Sequence, residues 1–275
     1  MARLAAGIPY ARVVPATGSQ GRIAPGRQAK ASFPAKRSAH TKWDLVLSSG
    51  FLSFASHAGF LQAVEQADLN VGAIMGTSAG ALAGSLYCAG FSAEQVAAEL
   101  SRVPPLELLV PCRQPWQGLL SLERVVDRLQ ALLPPTFEEL PQQFAVGVVT
   151  RQGQHMLIDS GPLPEAVAAS AAIPFIFGPV AIPGRVQGPF QDGGVADRIG
   201  LDIWTRQRRL EGSSPADTPA LVHLIARSSP FSGTELLEVG ADVVVHALLP
   251  NSPIYGIQTQ SRDRAVSDGQ GEESS

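Results

Sequence analysis

Between Leu69 and Ala93 the chain carries no charged residue, and glycines recur at 72, 76, 80 and 84 with Ser78 set between two of them. Such a run suits two structures. A membrane-crossing helix tolerates small residues at this spacing. A strand, a tight turn and a helix in succession use the same glycines differently. Gly72, Gly76, Gly80, Gly84 and Gly90 are many for one helix, because each costs about 1 kcal/mol relative to alanine. The second structure therefore fits better. Val71–Met75 reads as a short buried strand and Ala79–Ala89 as a helix. Gly76-Thr77-Ser78-Ala79-Gly80 lies at their join, a G-x-S-x-G nucleophile elbow that presents a hydroxyl at the positive end of a helix dipole.

An elbow of this kind needs a sheet behind it. Trp43–Ser48 reads as a first strand, and apolar Phe60, Leu61 and Val64 give helical spacing from His57 to about Ala67. Ser92 with Gln95 predicts a capping box at a helix start. Leu119–Leu133 has the pattern of an amphipathic helix. Phe144–Val149 and Met156–Ile158 predict a hairpin through Gln152-Gly153. A short alanine-rich helix is expected from Pro162 to Ala172, and late strands at Leu221–Ala226 and Asp242–Leu248. This alternation predicts an α/β fold with a mostly parallel central sheet, helices on both faces and local antiparallel pairing.

Charge separates the chain's parts. The first 42 residues hold eight of the 21 basic side chains and no Asp or Glu, so the rest carries 13 basic against 24 acidic groups. An acidic folded part disfavours nucleic acid as partner and confines any peripheral membrane contact to a local patch. The leader, residues 1–42, reads as a transit peptide, plastid by its prolines, with mitochondrion as the alternative and a disordered basic segment as the bland reading. Residues 43–250 are expected to hold the fold and 251–275 a polar tail. Cys88 and Cys112 suit neither a metal site nor a disulfide framework.

Four blocks in order resemble the patatin-like phospholipase family. They are Leu45 to Leu61, containing His57-Ala58-Gly59-Phe60-Leu61; the elbow Gly76 to Gly80; Ala169-Ser170-Ala171-Ala172-Ile173-Pro174 continuing to Val180; and Asp192-Gly193-Gly194. The resemblance implies a three-layer patatin-like fold and a Ser78–Asp192 dyad, with Ser78 as nucleophile and Asp192 as base. It also implies an oxyanion hole from the backbone N–H groups of Gly50, Phe51 and Ala79. A hydroxyl becomes a useful nucleophile when a base within hydrogen-bond reach takes its proton. Gly193 and Gly194 would permit that close approach, and Phe175–Val180 is expected either to pack the core or to wall an acyl pocket. The first block departs from the family pattern. It reads Ser49-Gly50-Phe51-Leu52-Ser53-Phe54, with a single glycine and with Ser53 at the usual basic position. A missing oxyanion donor costs about 2.7–4 kcal/mol of transition-state stabilisation. Phe51, Leu52 and Phe54 are expected to form an apolar lip or to pack beneath the elbow.

The leading functional expectation is a lipid acyl hydrolase that passes through an acyl-serine, acts on a fatty-acyl ester and has no cofactor or metal. A patatin-fold protein that binds lipid with little hydrolysis is the second. A Ser-His-Asp hydrolase with His246 as histidine is the third; His57, His155 and His223 have no better claim. No transmembrane helix is expected.

Overall fold

The computed structural model describes residues 42–50, 53–104, 107–213 and 219–225, and residues 243–248 as backbone. The expected leader and tail lie outside these residues, as do Phe51 and Leu52. Six strands form the main path of one sheet: β1 (Trp43–Leu47), β2 (Val71–Gly76), β5 (Gln143–Val149), β6 (His155–Ile158), β8 (Ala220–Ile225) and β9 (Val243–Leu248). Their spatial order is β6-β5-β2-β1-β8-β9, and a further short strand, β7 (Gln191–Asp192), joins β5. β1 pairs in parallel with β2 and β8, as does β2 with β5, whereas β6 and β7 run antiparallel to β5. Apolar runs suit this centre because strands covered on both faces need no polar side.

The two faces have separate cores. Alternation along β1 sends Leu45 and Leu47 to one face and Val46 to the other; β2 divides Ile74 from Ala73 and Met75 in the same way. The first face packs against α1 (Phe54–Gln66), α2 (Ala79–Cys88) and α5 (Leu163–Ser170), with α3 (Ala93–Arg102) and α4 (Glu123–Leu132) outside them. α6 (Leu201–Leu210) covers the second face through Leu201 and Trp204. The result is three layers, as the sequence implied. α3 starts on the expected capping box, with Ser92 Oγ accepting from Gln95 N–H and Gln95 Oε1 accepting from Ser92 N–H.

The preferred reading of the uncharged run holds, and two other points change. The uncharged run is no membrane helix; it divides into β2 and the ten-residue α2. Among the described residues, no helix is long and apolar enough to cross a membrane. The helix expected from Leu119 begins only at Glu123, because Leu120 and Ser121 form β4 against β3 (Val110–Pro111). Backbone hydrogen bonding of Leu119 and Leu120 to Phe175 and Ile176 holds that segment extended and overrides its helical periodicity. Finally, α6 was missed. Only Leu201 and Trp204 are buried in a helix otherwise rich in Arg and Gln, so its apolar stripe is thin.

Candidate active site

One edge of β5 brings the two candidate side chains, Ser78 and Asp192, together. β2 pairs with β5 as far as Gly76 opposite Val146, then leaves the sheet to form the elbow. β6 occupies the other edge, from Val146 to Val149. β7 therefore takes the place β2 vacates, with Asp192 opposite Val148. Asp192 thus enters beside Ser78 from a distant part of the chain.

The elbow is strained at Ser78. Ser78 has φ 55° and ψ −115°, a conformation that L-residues with a side chain seldom adopt. Its flanking glycines are required for space. A Cβ on Gly76 would lie 2.5 Å from the Gly80 carbonyl oxygen, and one on Gly80 would lie 2.2 Å from that of Leu47. Ser78 N–H donates to Ser170 Oγ at 2.9 Å, and Ser170 Oγ–H donates to the Gly147 carbonyl at 2.7 Å. The third block thus fastens the elbow to β5. Sequence reasoning placed Ser170 in a motif but gave it no role; a lone serine amid alanines was the available signal, and the structure shows it fully buried.

Asp192 is 4% exposed. Burial pushes its carboxyl from an ordinary 3.8 up to about 6, against opposing hydrogen bonds from the Ser78 side chain and Gly194 N–H. The latter bond measures 2.7 Å. Gly193 and Gly194 again answer to close approach. A Cβ on Gly193 would lie 2.4 Å from the Gly147 oxygen, and one on Gly194 would lie 2.6 Å from Ser49 Oγ. The second contact brings the first block against the aspartate motif.

Of the three expected oxyanion donors, Ala79 is the first residue of α2, where helix geometry leaves N–H groups without an intrahelical acceptor. Gly50 is buried with its Cα against Ile225. Phe51 lies outside the described residues. The segment before Gly50 is tied down on several sides. Ser48 N–H donates to the His223 carbonyl at 3.1 Å and Ser49 N–H to the Arg198 carbonyl at 2.7 Å. The Arg198 guanidinium donates to the Ile225 carbonyl at 2.7 Å and, at 3.4 Å, to that of Ser49. Arg198 is remote in sequence from the first block, so nothing local announced it.

Beneath this segment lie His57 and His223, both fully buried. A carbonyl only accepts, so His57 Nε2 must carry the hydrogen in its 2.9 Å bond to Ser48 O. Neutral His57 then offers a bare Nδ1, and the 2.7 Å contact with His223 Nδ1 requires His223 to donate. Burial keeps His57 neutral by pulling its pKa from 6.5 to about 4. These histidines support the loop from below. His246 is on β9, separated from β2 by β1 and β8.

A model of the patatin-like phospholipase family matches residues 45–204. The chain belongs to that family. The match runs from β1 through the elbow and Asp192 into α6, so the strand edge, Ser78 and Asp192 fall within the family unit. Two uncharacterised NTE family proteins, from Mycobacterium bovis and Mycobacterium tuberculosis, are each 31% identical over 175 residues, covering 62% of this chain. The chain spans about half the length of these curated relatives, the shared part being 48% of each. Among solved structures, VipD from Legionella pneumophila overlaps with a TM-score of 0.47 at 16% identity, over 69% of this chain and 51% of that one. ExoU of Pseudomonas aeruginosa, in complex with SpcU, overlaps with a TM-score of 0.42 at 14% identity, over 74% and 48%. Both overlaps are partial, and the layered architecture stands on this chain's own sheet order.

Proposed function

We propose that this patatin-like chain is a lipid acyl hydrolase working through a Ser78–Asp192 dyad. The observation that carries the reading is the buried Asp192 carboxyl, its pKa raised by burial and in range of the Ser78 side chain, beside a strained Ser78 at the head of α2. Asp192 takes the Ser78 proton as Oγ attacks the ester carbonyl, and the oxyanion forms near the Ala79 N–H and the helix dipole. Collapse expels the alcohol, which takes the proton back from Asp192. Water, deprotonated in turn by Asp192, cleaves the acyl-serine and restores the hydroxyl.

A raised carboxyl pKa suits a base that works near neutrality, since a stronger base accepts a proton more readily while remaining ionised. Turnover is therefore expected to rise with pH through about 6 as Asp192 ionises. A fluorophosphonate probe tests the reading: wild type is expected to label, and Ser78→Ala and Asp192→Asn are expected to lose labelling while remaining folded. Unlabelled, folded wild-type protein would instead support the non-hydrolytic lipid-binding alternative.

A further inference from the structure

We propose that the loop pair 111–120 and 171–178 forms a platform that docks on a lipid surface beside Ser78. The inference rests on the lipid-hydrolase reading for its choice of partner. The two loops are joined by hydrogen bonds from Leu119 N–H to Phe175 O at 3.2 Å, Leu120 N–H to Ile176 O at 2.9 Å and Gly178 N–H to Leu120 O at 2.9 Å. Leu120 packs against a small core of Leu122, Ala172 and Phe177, so the loops are a built unit. Gly118 is pressed so closely to the other loop that a Cβ there would lie 2.3 Å from Gly178 N.

The apolar residues on the outer side of this unit have the opposite fate. Trp116 is 81% exposed, Leu119 68% and Phe175 88%, and Ile176 beside Phe175 is also exposed. Phe175 has φ 67°, a left-handed conformation uncommon for a bulky side chain. Its backbone is held there while its ring gains little burial within the chain. Concentrated exposure of large apolar side chains marks an interaction surface more often than scattered leucines do, and Trp and Phe suit the boundary between water and acyl chains.

Charge and position select the lipid partner. Residues 111–120 and 171–190 contain Arg113 and Arg185 but no Asp or Glu, in a chain whose part beyond the leader has 24 acidic groups. Arg185 is bonded to Ser160, at 2.9 Å to its carbonyl and 2.7 Å to its hydroxyl. Glu123, Asp127 and Glu165 do lie near, lining a cleft of about 450 Å³ with Arg113. Trp116, Leu119, Phe175 and Ile176 do not line that cleft. The platform is continuous with the candidate site: Asp192 N–H donates to Ala172 O at 3.0 Å, and Ser170 holds the Ser78 N–H. A lipid surface on this platform would lie next to the chain segment that positions both reactive groups.

Tryptophan emission offers a direct readout, since Trp43 and Trp204 are buried and Trp116 is exposed. The 275-residue chain is mixed with phosphatidylcholine vesicles, whose neutral surface gives the basic leader no net charge to bind. Co-sedimentation with a blue shift is expected, both abolished by Trp116→Ala. Phe175→Gly is expected to lower partitioning about tenfold without lowering the melting temperature, because glycine accepts the positive φ. Ser78→Ala is expected to bind as wild type does, which separates failure of docking from failure of the dyad. No binding to phosphatidylcholine would overturn the proposal. So would binding confined to anionic vesicles and retained by Trp116→Ala, or a concentration-dependent blue shift without lipid, which would assign the platform to a second copy of the chain.

Discussion

At the scale of single residues, the candidate site combines a buried carboxyl with a strained serine, and each has a measurable consequence. Above pH 6 the ionised Asp192 carboxylate is a burden on folding, because its folded pKa of about 6 exceeds the ordinary 3.8. Asp192→Asn is therefore expected to abolish turnover yet raise stability at pH 8, by about 1–3 kcal/mol. The difference should narrow between about pH 6 and pH 4, as read by thermal melts across pH. Ser170→Ala should do the reverse. It leaves Ser78 N–H and Gly147 O without their shared partner, a loss of about 1–3 kcal/mol, with kcat falling and labelling by the phosphonate slowed. Ser78 and its glycines were legible because G-x-S-x-G spacing is local. Ser170 and Arg198 were not, because their partners are set by sheet packing between distant segments.

Among the elements, α6 is the least visible in sequence and is held by an ion pair as well as by packing. Asp44 on β1 is 2% exposed. It receives Arg208 Nε at 2.8 Å and Trp204 Nε1 at 3.2 Å, both on its Oδ2 atom. Burial raises the Asp44 pKa, and Arg208 works against that rise. Arg208→Met is expected to destabilise the chain by about 3 kcal/mol by leaving a buried carboxylate unpaired. Adding Asp44→Asn should recover part of that loss in a denaturant titration; no recovery would mean that Arg208 acts through packing alone. The strands and the capping box of α3 were readable from apolar runs and the Ser92–Gln95 spacing. The start of α4 was misread because the periodicity from Leu119 to Leu133 continues through residues that tertiary hydrogen bonds hold extended. β7 was too short to declare itself, being two residues long.

For the whole molecule, acid stability carries opposing contributions from buried groups, with His57 on one side and Asp192, joined by Asp44, on the other. His57 takes its proton at about 4 in the fold against an ordinary 6.5, so the unfolded chain binds that proton first and stability is lost as pH falls from 6.5 towards 4. Asp192 acts in the opposite direction between about 6 and 3.8. Asp192→Asn should consequently lose stability more steeply than wild type over that interval, in chemical denaturation at stepped pH. Nitrogen-edited NMR of imidazoles should find hydrogen on Nε2 of His57 and Nδ1 of His223 above pH 6.5. The layered fold was legible because strand and helix signals alternate along the chain; the histidine pair was not, because it joins α1 to β8 across the sheet. The replacement of β2 by β7 along a single edge of β5 has a wider consequence. Side chains alternate between faces, so a slip of one residue in that pairing would carry Asp192 to the wrong face rather than slightly out of line. Under the proposed dyad, variation that tunes activity by degrees is therefore to be sought in the loops, whereas variation in the β5 edge would switch it off.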